Sequence, residues 1–360
     1  MRIYLDHASS TPVDPRVLRR FVEIEQSHPA NPGGPHTAGR RARAIVEEAR
    51  AVAAAALGVE SDQLVFTSGG TETNNAALAG LGPPDQPVLL APVEHSSILR
   101  AAERRGAVWW DVDPLGRAIL SIPDRPIGLV CLQHAQHEIG TRQPVLAARD
   151  LAASLGVPLH VDATSSLGRL DIADVVRAAD SVALSTHKVG GLRGCTVAVV
   201  KEPGRLRPLV VGGAQERNLR AGTESPALVA ATALTVQLAV EEQAARAAAC
   251  CRARDTFERS LAVEAKRLGA EDALPNLAMM RLPVAEGRHL IPALDLEGIE
   301  ASWGSACSSG AATPPPVLTA IGLDVEQART CVRFSFSHHT SLEDVAQAAH
   351  LVDRVVRRLA

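Results

Sequence analysis

The sequence predicts an α/β protein: a helix-covered, mostly parallel sheet in a large unit, followed by a smaller α/β unit. Three observations carry this. Seven short apolar runs, at residues 63–67, 88–91, 107–111, 128–132, 159–161, 181–184 and 196–200, have the length and composition of buried strands. Helical patterns stand between them, notably at 96–105 and 145–155, and alternating strands and helices imply a parallel sheet covered on both faces. The polar residues His95, His137, Asp162 and Lys188 all fall at the C-terminal ends of these runs, where such sheets carry their sites.

In chain order, residues 14–26 read as a short helix behind Thr11-Pro12, and 31–36 as a turn rich in Pro and Gly. Residues 37–57 recur apolar at helical spacing and meet Gly58, a good C-terminal stop. The strand at 63–67 runs into Ser68-Gly69-Gly70-Thr71, with helix expected over 72–80. Glycines and a threonine then sit at a helix N-terminus, where free N–H groups and the helix dipole favour a phosphate. A long Ala-rich helix is expected from 226 to about 269, leading out of the large unit. The boundaries that follow are 13–240 for the large unit, with 1–12 and 241–360 forming the smaller one.

Composition narrows the function. At 360 residues the chain can bury two cores, and a net charge of -3 with 21% charged residues gives no polybasic surface for nucleic acid. Six cysteines lack the CxxC spacing of metal ligands and the density of a disulfide scaffold, which suits a reducing cytoplasm. No apolar run reaches membrane-spanning length, and the first residues lack a charged-then-apolar leader. Small molecules are the expected partners.

The chemistry centres on residues 184–194, Leu-Ser-Thr-His-Lys-Val-Gly-Gly-Leu-Arg-Gly. A lysine between a polar run and a glycine-rich turn suits covalent attachment of pyridoxal 5'-phosphate (PLP), with Ser185 and His187 offering donors to its phosphate. Asp162, ending the apolar run Leu159-His160-Val161, supplies the carboxylate that keeps a pyridine nitrogen protonated.

With Tyr4-Leu5-Asp6-His7-Ala8, Thr67-Ser68-Gly69-Gly70-Thr71-Glu72-Thr73-Asn74-Asn75, the lysine motif, Gly304-Ser305-Ala306-Cys307 and Val332-Arg333-Phe334-Ser335, the chain resembles the cysteine desulfurases. These are the NifS-like branch of the fold-type I PLP-dependent transferases. The resemblance implies Lys188 as the Schiff-base lysine and proton carrier, Asp162 at the pyridine nitrogen, and His95 stacked on the ring. It implies Gly70, Thr71, Ser185 and His187 as phosphate ligands, with Thr223 serving the neighbouring subunit of a homodimer with shared active sites. Arg333 would clamp the carboxylate of L-cysteine, as a bidentate guanidinium can. Cys307 would take the sulfur as a persulfide and pass it to an acceptor protein or small thiol, leaving alanine.

Two positions depart from the family. Gln136-His137 stands where two asparagines usually precede Glu-Ile-Gly, and Ser165 replaces a glutamine that donates to the cofactor's phenolic oxygen. A serine is too short for that reach, so His137 is expected to donate to that oxygen or to the substrate carboxylate. The alternatives are a related PLP enzyme, such as a selenocysteine or cysteine-conjugate lyase or an epimerase, or a weakly catalytic binding paralogue.

Overall fold

The computed structural model describes residues 2–304 and 314–360. Its main sheet has seven strands in the spatial order Leu64–Thr67, Thr196–Val200, Ser181–Ala183, Leu159–Asp162, Leu129–Gln133, Val88–Leu90 and Ala107–Trp109. The last five run parallel to one another, whereas Thr196–Val200 is antiparallel to both of its neighbours. Apart from the edge strand Ala107–Trp109, every residue of these strands is buried, as expected where helices cover both faces. Pairing of Gln133 with Asp162, and of Asp162 with Ala183, brings three strand ends level. That level edge is the platform of the site.

One flank of the sheet is covered by two helices packed along their length, Thr37–Leu57 and Pro226–Glu241. Their buried positions are mostly small, among them Ala42, Ala49, Ala53, Ala227, Ala230 and Ala231, which lets two helices pack closely with few aromatics. The first helix is capped by His36, whose Nδ1 accepts from the Gly39 N–H at 3.1 Å, and stops at Gly58 with φ 68°. Only glycine enters that left-handed turn without strain.

The helix expected from 226 to about 269 is two helices, Pro226–Glu241 and Gln243–Ser260, followed by a strand at Lys266–Leu268. Tertiary bonds override the local alanine propensity. At the first break the Glu242 carboxylate is taken by Arg16 and Arg246. At the second, the Asp353 carboxylate accepts from the N–H groups of Ala262 and Val263, so the helix has no need to continue. Likewise the strand expected to reach 111 stops at Trp109, because Asp111–Val112 pairs with Ala118–Ile119 instead.

A second core gathers Phe257, Phe334 and Phe336 with Val345, Ala349 and Val352 of the helix Leu342–Leu359. It lies against a three-stranded sheet ordered Lys266–Leu268, Leu277–Arg281, Cys331–Ser335. The first residues of the chain join it: Ile3–Tyr4 pairs with Ile299–Glu300, and Asp6 bridges to Ser335. Both ends of the chain thereby meet beside the platform.

Candidate active site

A cavity of about 180 Å³ opens over the platform, and Lys188, Asp162, His95, His137 and Arg333 all line it. Asp162 closes its strand fully buried. Its Oδ1 accepts from the Thr164 N–H at 2.9 Å and its Oδ2 from Asn74 Nδ2 at 2.8 Å. Burial works to raise the carboxyl pKa, but His95, Thr164 and Lys188 together hold it below the ordinary value. Lys188 ends the single turn Thr186–Lys188, and its Nζ donates to Ser165 Oγ at 3.2 Å. The turn is held from below, since the Lys188 carbonyl accepts from Thr11 Oγ1 and from Arg169 Nη2, both at 2.8 Å. Arg169 is itself buried and reaches the carbonyls of Ser165 and His7 as well, tying three segments together; burial pushes its pKa down to about 10. His95 caps the helix Ser96–Arg105, and its ring meets that of His137 edge-on, with centroids 5.1 Å apart.

One end of the cavity suits an anion. Gly70 opens the helix Gly70–Gly80, whose first N–H groups have no partner within the helix. A Cβ at Gly70 would lie 2.5 Å from Thr164 Cγ2, so a larger residue there would have to displace that side chain. Thr71, Ser185 and His187 line the same end. His187 Nδ1 is buried with no partner among the described residues, and burial together with Lys188 lowers its pKa to about 4. An anion cradle, an amine and a buried carboxylate within one cavity are what PLP requires, and these residues fit it.

The opposite wall belongs to the second core. Arg333 is 2% exposed; Nη2 donates to Asp6 Oδ1 at 2.8 Å and Ser9 Oγ at 2.7 Å, and Nη1 to the His137 carbonyl at 3.0 Å. Its Nε is buried and lacks a partner among the described residues. His137 Nδ1 lies 3.4 Å from Gln133 Oε1, and because Gln133 Nε2 donates to the Val93 carbonyl, that oxygen can only accept. The ring's Nε2 faces Glu138 Oε1 at 3.6 Å, so both ring nitrogens stand beside acceptor oxygens. Burial, with His95, Lys188 and Arg333 nearby, pushes the His137 pKa well below its ordinary value.

Thr223 is exposed and is not among the residues lining this cavity. Ahead of it, Glu216, Arg217 and Asn218 take positive φ in succession, 45°, 55° and 67°. The Glu216 carboxylate is held by both Arg50 Nη atoms, at 2.8 and 2.6 Å, and by the Phe66 N–H at 2.8 Å, a buried clamp that sustains the strain. Cys307 lies outside the described residues. Sequence reasoning gave no role to Asp6, Ser9, Asn74, Thr164 or Arg169. Asp6 and Asn74 do stand inside recognisable motifs, but their partners are 327 and 88 residues away.

This arrangement has known counterparts. The family model described as aminotransferase class V matches residues 3–347. The chain belongs to the class-V aminotransferases. It is 33% identical to cysteine desulfurase IscS 1 of Archaeoglobus fulgidus over 372 residues, spanning 99% of this chain and 97% of that one. Among solved structures, a NifS-like protein superposes with a TM-score of 0.90 at 26% identity, covering all of both chains. SspA in complex with cysteine gives 0.80 at 27% identity, over 95% of this chain and 100% of the other. Within the class-V family the chain thus stands with the cysteine desulfurases.

Proposed function

We propose that this protein is a PLP-dependent cysteine desulfurase that converts L-cysteine to L-alanine and carries the sulfur as a persulfide on Cys307. The observation that supports it most is Arg333 in the same cavity as Lys188 and Asp162, a carboxylate clamp facing a lysine and its carboxylate partner. PLP, when bound, supplies an electron sink that makes the substrate Cα proton removable. Asp162 would hold the ring nitrogen in its protonated form, while Gly70, Thr71, Ser185 and His187 would receive the phosphate and His95 would lie against the ring. Arg333 fixes the amino acid by its carboxylate, with Asp6, Ser9 and the His137 carbonyl fixing the guanidinium in turn. Lys188 Nζ, resting on Ser165 Oγ, moves protons at Cα. The Cys307 thiolate then bonds the substrate sulfur as the Cβ–S bond breaks. That bond's electron pair stays with carbon, which takes up a proton and departs as alanine.

The sulfur goes on to an acceptor protein or small thiol. The working unit is a homodimer in which Thr223 serves the neighbouring subunit's cofactor, and the strained, clamped segment before it supports that reading. Among the described residues no helix is long and apolar enough to cross a membrane, which is compatible with work in the cytoplasm. Incubation with L-cysteine followed by product analysis tests the proposal. Alanine in equal amount to protein-bound and released sulfur, lost in Cys307→Ser, is expected; pyruvate and ammonia in place of alanine would overturn it in favour of a lyase.

A further inference from the structure

We propose that Asn74 is a positioning residue that joins Asp162 to His95 through Ser97, fixing the first as an acceptor and the second as a hydrogen-bond donor to the cavity. This deepens the PLP reading above and rests on it for its consequence, though not for its geometry.

The geometry leaves one assignment of protons. Asn74 is 1% exposed, and its Nδ2 lies 2.8 Å from Asp162 Oδ2 and 2.9 Å from Ser97 Oγ. An amide oxygen turned to that carboxylate would be repelled, so the NH2 faces it and both protons are used. Asn74 Oδ1 then accepts from His160 Nε2 at 3.0 Å, and His160 Nδ1 lies 3.2 Å from Ser181 Oγ, which holds the amide from behind. At the other end the Ser97 N–H donates to His95 Nδ1 at 3.1 Å, so that nitrogen bears no proton. Ser97 Oγ, 2.7 Å from the same nitrogen, must therefore donate to it as well, and its own lone pair receives the second Asn74 proton. Every bond in the chain has one direction.

The consequence lies at the two ends. With Nδ1 occupied by two donors, the neutral ring of His95 carries its proton on Nε2 and enters the cavity only as a donor. Asp162 Oδ2 and Oδ1 each receive an N–H, which favours the ionised form needed opposite a protonated ring nitrogen. The charged or titratable groups facing His95 are Asp162, Lys188 and His137, and burial keeps the imidazole from charging. One asparagine thus supports the charge on Asp162 and, through the Ser97 hydroxyl, reinforces the donor face that His95 turns to the cavity.

Histidine 15N spectra of the full chain, recorded with and without added PLP, test the relay directly. Wild type should show His95 as the Nε2–H tautomer, charging only below the ordinary histidine range. In Ser97→Ala, which leaves Asn74, His160 and Asp162 bonded, the 3.1 Å backbone N–H is the one donor left on His95 Nδ1, so the minor ring tautomer should rise while the PLP dissociation constant changes by less than about threefold. Asn74→Ala should disturb both ends, freeing the Ser97 hydroxyl to turn and accept from His95 Nδ1 so that the minor ring tautomer rises, and raising the PLP dissociation constant about ten- to a hundredfold, the range for one hydrogen bond to a charged group. Asn74→Asp keeps the shape but reverses the polarity, so it should bind PLP more weakly than Asn74→Ala. An Asp variant matching wild type, or an unchanged His95 tautomer in both Ser97→Ala and Asn74→Ala, overturns the relay. These spectra do not depend on the reaction, so a wild type that yields pyruvate would overturn the desulfurase reading alone.

Discussion

The floor and the wall of the cavity are built in opposite ways. On the floor, Asp162 and Lys188 stand at or just beyond the ends of neighbouring strands, and parallel pairing sets their spacing. The wall is Arg333, placed by a strand of a different sheet and held by Asp6 and Ser9 from the beginning of the chain. A floor of this kind follows from sheet topology and withstands change in the loops. A wall of this kind exists only when distant segments dock, so its function depends on every contact that docks them.

The largest effect is expected on the floor. Lys188→Ala should abolish borohydride-fixable cofactor and lower alanine formation by about 10²–10⁴-fold, the span of a positioned proton-moving group. Fixable cofactor in that variant would place the attachment elsewhere.

The wall should yield more gradually. Arg333→Lys keeps the charge but loses the fork, so kcat/KM for cysteine should fall about ten- to a hundredfold, mainly through KM. Asp6→Asn, which only frees the guanidinium to move, should cost less, and a kcat effect without a KM effect would show that the pair does not orient substrate.

Acid should act on both regions. His187 on the floor, His7 beneath the wall and His134 beside the platform all have pKa values lowered to about 4, chiefly by burial. The unfolded chain binds protons at about pH 6.5 that the folded protein refuses, so their contribution to stability is complete above that pH and is lost as pH falls towards about 4. Each can contribute a slope of up to about 1.4 kcal/mol per pH unit in that window. Urea midpoints should fall steadily across it, and a flat profile there would contradict the buried neutral state of these rings.

Ser165→Ala is the smallest change. It removes one acceptor from Lys188 Nζ and should alter turnover by less than about tenfold, the net worth of one hydrogen bond. A larger loss, with the cofactor absorption maximum displaced, would give the hydroxyl a direct role at the ring.

Legibility in the sequence followed the same division. Strand ends could be read from apolar runs, and the glycine-rich lysine turn from its composition, because these signals are local. The partners of Arg333 could not, since nothing near residue 333 indicates that Asp6 and Ser9 arrive beside it. The helix break at Ser260 was invisible for the same reason: its cause is a carboxylate at Asp353, on another helix. Asn74 was hidden differently. It stands within a motif that reads as a phosphate turn, yet its side chain points away into the strand ends, where only the fold supplies partners.

The docking of the first residues also sets an order in time. Leu5 receives the Ser335 N–H at 2.7 Å and Ala8 donates to Ser335 Oγ at 2.8 Å, contacts that span almost the whole chain. During synthesis, at about 5–20 residues per second, residues 5–9 emerge on the order of tens of seconds before their partners exist. The cost of closing a loop grows only with the logarithm of its length, but closing so long a loop is slow, so the delay falls mainly on the rate. The sheet and its lysine can be complete while the arginine clamp is still unformed. On refolding, recovery of cysteine binding should therefore lag behind recovery of helical signal, and an extension fused ahead of Ile3 should lengthen that lag.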